Sequence, residues 1–242
     1  MKIIGVIPAR YASSRLPGKP LADICGKPMI WWVYKRAKQV LQLDDVFLAT
    51  DDERIAEYCC SAEIPYIMTD VACPNHIHRV FEVSTRIDAD YYVSINGDEP
   101  LIEPEQIEAV LPKEPIHGTP FMLSVYRDLT DPAEVLDTSN VKIVLDMQNR
   151  CMYQSRLPIP SPKGSLDFQY KKAIGIECFN AEALSFFANT PMGRLETIED
   201  IDHLRFLENG VPIFYRQIQS QALSVDTPAD LQKVREIMEE RY

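Results

Sequence analysis

The chain has 242 residues, 46% hydrophobic and 25% charged, an ordinary globular composition long enough to bury one large core. A net charge of −11 with no recurring basic face argues against nucleic acid as a partner, and no apolar run approaches the roughly 20 residues that span a bilayer. Six cysteines without C-x-x-C spacing argue against a disulfide or zinc framework, and an opening apolar segment too short for a signal peptide fits a cytoplasmic protein with reduced thiols.

The charge is uneven. Residues 1–40 hold eight Lys/Arg against one acid, Asp23, whereas the remaining 202 residues hold 17 against 35. Residues 3–7 form an apolar run that reads as a buried strand. The loop that follows, IPARYASSRLPGKP (7–20), gathers Arg10, Arg15 and Lys19, with Pro17 to stiffen it and Gly18 to let the backbone approach a ligand. A cationic loop in an anionic chain is expected to hold a small polyanion. It matches neither a Walker A loop nor a G-x-G-x-x-G fingerprint, so the chemistry it suggests is phosphoryl or nucleotidyl transfer by positioning and charge stabilisation.

Pro28 suits the first turn of a helix whose apolar face is Ile30, Val33, Ala37 and Val40. Residues 46–49 read as a second strand, and Thr50-Asp51-Asp52 offers caps to a helix over 53–62. His76 and His78 read as alternate residues of an extended segment, able to point the same way as a metal pair would, but without a third ligand nearby. Residues 91–95 are a third strand, ended by Asn96-Gly97-Asp98. The alternation predicts an α/β fold with a mostly parallel, doubly wound sheet and ligands at the carboxyl ends of the strands, where Arg10 and Asp98 both fall.

Between residues 115 and 180 the pattern becomes strand-rich (121–125, 141–145, 151–153, 174–179), with a proline-rich loop at 157–162. It reads as an antiparallel insertion within a single domain of residues 1–242, lying over the site or pairing with a second subunit. A helix over 198–208, a strand over 211–217, a short strand over 223–225 and a helix after Asp226-Thr227-Pro228 complete the chain. Transfer to or from a triphosphate needs a divalent metal held by carboxylates. Asp98 and Asp226 are suitably placed for one; a turn residue and a helix cap are the plainer readings, and Glu99 competes with Asp98.

The segments IPARYASSRLPGKPL (7–21), ATDDERI (49–55), NGDEPLI (96–102), NVKIVLD (140–146), SRLPIP (155–160), AIGIECF (173–179), LRFLENG (204–210) and SVDTPADL (224–231) together resemble the CMP-KDO synthetase family, in order and over essentially the whole chain. The resemblance implies a Rossmann-like nucleotidyltransferase fold, a homodimer built on the inserted strands, and Mg²⁺-dependent transfer of CMP from CTP to a 2-keto-3-deoxy sugar acid for lipopolysaccharide. It implies that Pro8, Ala9, Arg10, Arg15 and Lys19 bind the nucleotide, with Arg10, Lys19 and Asp98 catalytic and Asp98 and Asp226 on the metal. It places Arg15, Asn75, His76, His78, Arg79, Asn96, Arg156 and Ala173 toward the acceptor. Three departures fall on that side: Asn75–His78 replace a Ser-Gly-Thr segment, Asn96 a Gln, and Ala173 a His. They imply a KDO relative or another acid, such as an aminated octulosonic acid or a phosphonate, as an alternative acceptor. A non-catalytic homologue is disfavoured by the retention of Lys19, Asp98 and Asp226.

Overall fold

A computed structural model of the chain describes residues 1–13, 15–220 and 223–241. The first half alternates strands and helices: β1 (Ile3–Ala9), a hairpin of β2 (Asp23–Ile24) and β3 (Lys27–Pro28), α1 (Met29–Ala37), β4 (Asp45–Thr50), α2 (Glu53–Ser61), β5 (Tyr66–Met68), α3 (His76–Ser84), β6 (Tyr91–Ile95) and α4 (Pro104–Glu108). Then follow β7 (Met122–Leu129), α5 (Pro132–Leu136), β8 (Lys142–Leu145), β9 (Cys151–Ser155), β10 (Tyr170–Asn180), α6 (Ala181–Asn189), α7 (Arg194–Glu199), α8 (Leu204–Glu208), β11 (Ile213–Gln217) and α9 (Pro228–Arg241).

One sheet runs in the order β11-β7-β10-β6-β1-β4-β5. Strands β6, β1, β4 and β5 are mutually parallel, β10 is antiparallel to both β6 and β7, and β11 runs parallel to β7. Both faces are covered. Ile3 and Ile7 point to one side with α1, α2 and α4; Ile4 and Val6 point to the other with α3, α6 and α8. Burial on both faces is why β1 reads as a continuous apolar run rather than an alternating one. The helix α9 packs Leu231, Val234 and Met238 against Met29 and Trp32 of α1, which brings the Asp226 loop beside the cationic loop.

The strand-rich segment 115–180 contributes β7 and β10 to the main sheet, while β8 and β9 form an antiparallel pair branching from β10. Three local expectations are corrected. Residues 198–208 are two short helices, not one, because Asp200 adopts a left-handed conformation (φ 53°) that ends α7. Residues 223–225 are not a strand, although Val225 makes one backbone bond, to the Asp98 carbonyl. His76 and His78 lie on α3, not in an extended segment, because the Asn75 side chain caps that helix by accepting from the His78 amide at 3.0 Å. Two residues apart on a helix, they point to different sides.

Candidate active site

Strands β1 and β6 are parallel neighbours, so their carboxyl ends deliver the Arg10 loop and the Asn96-Gly97-Asp98 turn to the same edge. Gly97 is required by this approach, because a Cβ there would sit 3.0 Å from the Pro8 carbonyl oxygen. The cationic loop turns back on itself through Gly18. Its φ of 70° lies in the left-handed region, its amide donates to the Tyr11 carbonyl at 3.1 Å, and a Cβ would meet the Tyr11 hydroxyl at 3.0 Å. The Arg54 guanidinium lies over the Tyr11 ring. Lys19 follows at the start of a short 3-10 turn.

The Lys19 ammonium donates to Asp98 Oδ2 at 2.6 Å and to Asp226 Oδ1 at 3.2 Å, and the Arg15 guanidinium reaches Asp226 Oδ1 at 3.1 Å. Four charged groups from three separate segments therefore meet at one point. Burial alone would lower the Lys19 pKa, but the Asp98 carboxylate and then Asp226 outweigh it and hold the amine above its ordinary range. Arg10 is exposed at the end of β1, and Pro8 and Ala9 form the strand end beneath it. The carboxylates also fit a hard divalent cation. Among the described residues Asp98 Oδ1 is buried without a hydrogen-bond partner, an acceptor left for a ligand, and oxygen donors are what Mg²⁺ prefers.

Glu99, next to Asp98, faces the other way. Its Oε1 accepts from Ser224 Oγ at 3.2 Å and from the Gly175 amide at 3.4 Å, while Oε2 is buried without a partner among the described residues. Burial, with the nearby Asp98 charge, pushes its pKa up to about 7; Lys172 opposes the shift.

The residues assigned to the acceptor separate into groups. Asn96 lies over Gly175 so closely that a Cβ at Gly175 would come within 2.0 Å of its amide nitrogen. Ala173, two residues before, is half-buried on β10 opposite Tyr126. Asn75 Nδ2 donates to Asp202 Oδ1 at 2.7 Å, and the His78 ring packs against Phe187. Arg156 ties the 155–160 segment to the carbonyls of Glu199 and Asp200 at 2.7 and 2.6 Å. Arg79 is occupied by the fold: 1% exposed, it bonds Thr69 Oγ1 and forms an ion pair with Asp51 at 2.8 Å. Burying Asp51 needs such a partner, and the pair joins β4 to α3.

Sequence reasoning missed a cluster around His76. Glu177 Oε2 lies 2.9 Å from His76 Nε2, and its Oε1 lies 2.9 Å from His203 Nε2, with Asp202 beside the opposite nitrogen of His76 at 3.5 Å. Glu177 falls on β10, more than 20 residues from His203 and about 100 from His76, so no local spacing signalled the group.

Residues 4–218 match the family described as Cytidylyltransferase. The chain belongs to the cytidylyltransferase family. It is 39% identical to 3-deoxy-manno-octulosonate cytidylyltransferase of Acidobacterium capsulatum, covering 100% of this chain and 98% of that protein. It is 37% identical to the Escherichia coli enzyme of the same name, covering 98% and 96%. Shewanella woodyi 8-amino-3,8-dideoxy-manno-octulosonate cytidylyltransferase is 38% identical, with 96% of each chain covered. A solved structure of CMP:2-keto-3-deoxy-manno-octonic acid synthetase complexed with CTP superposes with a TM-score of 0.94 at 36% identity, covering 100% of both chains. The chain is thus a nucleotidyltransferase, and its α/β fold is that of the CMP-KDO synthetases.

Proposed function

We propose that this cytidylyltransferase couples CTP to a 2-keto-3-deoxy sugar acid, KDO or a close relative, giving the CMP-sugar and pyrophosphate. The observation that carries the reading is the Lys19 ammonium held between Asp98 and Asp226 at the end of a loop bearing Arg10 and Arg15. The cations bind and orient the triphosphate, Arg10 and Lys19 stabilising the charge that develops as pyrophosphate leaves. An acceptor hydroxyl attacks the α-phosphorus. Asp98 and Asp226 would hold Mg²⁺, which would neutralise phosphate charge. On loading, Lys19 exchanges its carboxylate partners for phosphate oxygens. Asn96 and Arg156 would contact the acceptor.

A homodimer is supported by the exposed apolar side chains Met147, Met152, Leu157 and Leu166, all in the stretch of chain between β8 and β10. The free cysteines support a reducing compartment, the cytoplasm, and the acceptor class supports a place in lipopolysaccharide assembly. The testing experiment is pyrophosphate release from CTP and Mg²⁺ with a panel of sugar acids. Release that requires a 2-keto-3-deoxy acid supports the proposal; release with none of them overturns it.

A further inference from the structure

We propose that His76, Glu177 and His203 form a second metal site, for a divalent transition-metal ion of the zinc class. One ligand atom from each converges, all lying within 4.8 Å of one another. Glu177 sits on β10 within the sheet, and His76, which opens α3, and His203, which immediately precedes α8, come from two helices on one face of it. Both histidines turn Nε2 inward. The outer nitrogen of His76 faces Asp202 Oδ2 at 3.5 Å; that of His203 faces the Gln154 amide nitrogen at 3.4 Å, and turning that amide over presents its Oε1, without a partner among the described residues, as the acceptor a zinc-bound ring needs. An outer partner on each ring is what orients metal-binding histidines and sets their tautomer.

The donor set decides the ion. Two imidazoles and one carboxylate suit zinc and its neighbours, whereas Mg²⁺ takes oxygen ligands of the kind found at Asp98 and Asp226. Zinc bonds of about 2.0–2.2 Å place tetrahedral ligand atoms roughly 3.3–3.5 Å apart. The 2.9 Å contacts between Glu177 and the two rings would open by about half an ångström, and ligand atoms up to 4.8 Å apart would close by up to about 1.4 Å. Glu177 and Asp202 supply two carboxylates to face one dication. The side chains of Glu177 and His203 are 5% and 10% exposed, while that of His76 is 27% exposed and leaves an open side for a fourth ligand. The site is distinct from the catalytic carboxylates, because Glu177 pairs with Ser94, four residues before Asp98.

The test uses the full chain, stripped with chelator and titrated with Zn²⁺ in the absence of nucleotide, with bound metal measured after dialysis. One zinc per chain is expected, with affinity falling at least 100-fold in His76→Ala and in Glu177→Gln and unchanged in His117→Ala, an exposed histidine outside the cluster. The Co²⁺ form should show d–d bands and no thiolate charge-transfer band. No retained zinc overturns the proposal, as does retention unaffected by both variants, or a thiolate band, which would assign the metal to exposed Cys25 or Cys60. If Glu177→Gln does not fold, the more exposed His76→Ala decides the question.

Discussion

The amide of Val225 donates to the carbonyl oxygen of Asp98 at 2.9 Å, tying the loop that precedes α9 to the turn that ends β6. This bond presents Asp98 and Asp226 as one unit to Lys19. Thr227 and Asp230 brace the second half: the Asp226 and Thr227 amides both donate to Asp230 Oδ2, at 3.1 and 2.8 Å. Asp230 thus performs the helix-capping work that the sequence left open for Asp226, whose carboxylate is turned to the cations instead.

Asp98→Asn and Asp226→Asn should therefore abolish Mg²⁺-dependent turnover while leaving the fold unchanged, since asparagine keeps the shape and removes only the charge. Lys19→Ala and Arg10→Ala should each lower turnover by about 10²–10³, the usual cost of losing one group that stabilises developing charge. Glu99→Gln should cost much less, because Glu99 bonds Ser224 and Gly175 rather than Lys19. Steady-state pyrophosphate release with circular dichroism as the folding control checks all five. Full activity in Asp226→Asn at saturating Mg²⁺ would remove that residue from the metal site.

CTP should raise the melting temperature, and Mg²⁺ should enlarge the shift. A ligand that binds only the native state stabilises by about 2.7 kcal/mol at one hundred times its dissociation constant. ATP should give a smaller shift under the same conditions. An equal shift with ATP would contradict the cytidine preference.

Arg79→Met should act on stability rather than on the acceptor. Removing the guanidinium strands Asp51 and leaves the Thr69 hydroxyl with its bond to the Thr50 carbonyl alone among the described residues, and breaking a buried ion pair from one side costs about 3–5 kcal/mol. Urea unfolding should show that loss. A normal denaturation midpoint with a raised acceptor KM would instead return Arg79 to the acceptor site.

The fold was legible where local signals agree with tertiary demands. Residues 91–95 are β6 as expected, and the 46–49 strand and 53–62 helix fall within a residue or two of β4 and α2. The loop carrying Arg10, Arg15 and Lys19 was visible because charge and turn residues coincide in sequence. The cluster of His76, Glu177 and His203 was not, because it is assembled by the antiparallel pairing of β10 with β6 and by helices docking on one sheet face. The misread helix at 198–208 has a local cause: Asp200 sits in a left-handed conformation that a short polar side chain tolerates and no periodicity announces.

In metal-free protein, His76 should make stability fall as pH rises. Burial alone would lower its pKa, but Glu177 and Asp202 raise it to about 10, against about 6.5 when unfolded. The folded state then holds the extra proton, so this contribution is complete below pH 6.5 and disappears as pH approaches 10. Unfolding free energy measured between pH 6.5 and 10 should decline, and His76→Gln should flatten that decline. An unchanged slope in the variant would show that other groups set it.

The acceptor is the last prediction. At the three positions where this chain departs from the family resemblance, the polar inventory is different. Asn96 is packed against Gly175, Ala173 offers no polar group, and Asn75 and His76 are engaged with Asp202 and Glu177. A site that bonds a hydroxyl rejects analogues that lack it, and each polar group left unpaired costs about 1–3 kcal/mol, roughly 5- to 150-fold in specificity. KDO should therefore have a lower kcat/KM than a related 2-keto-3-deoxy acid with a different substituent, such as the 8-amino acid named for the Shewanella woodyi relative. The measurement is kcat/KM for both acids with CTP and Mg²⁺, in the parent chain and in Ala173→His. Restoring the histidine should shift the ratio toward KDO by about tenfold or more. A parent chain that already favours KDO, with a ratio unmoved by Ala173→His, would make the three departures neutral.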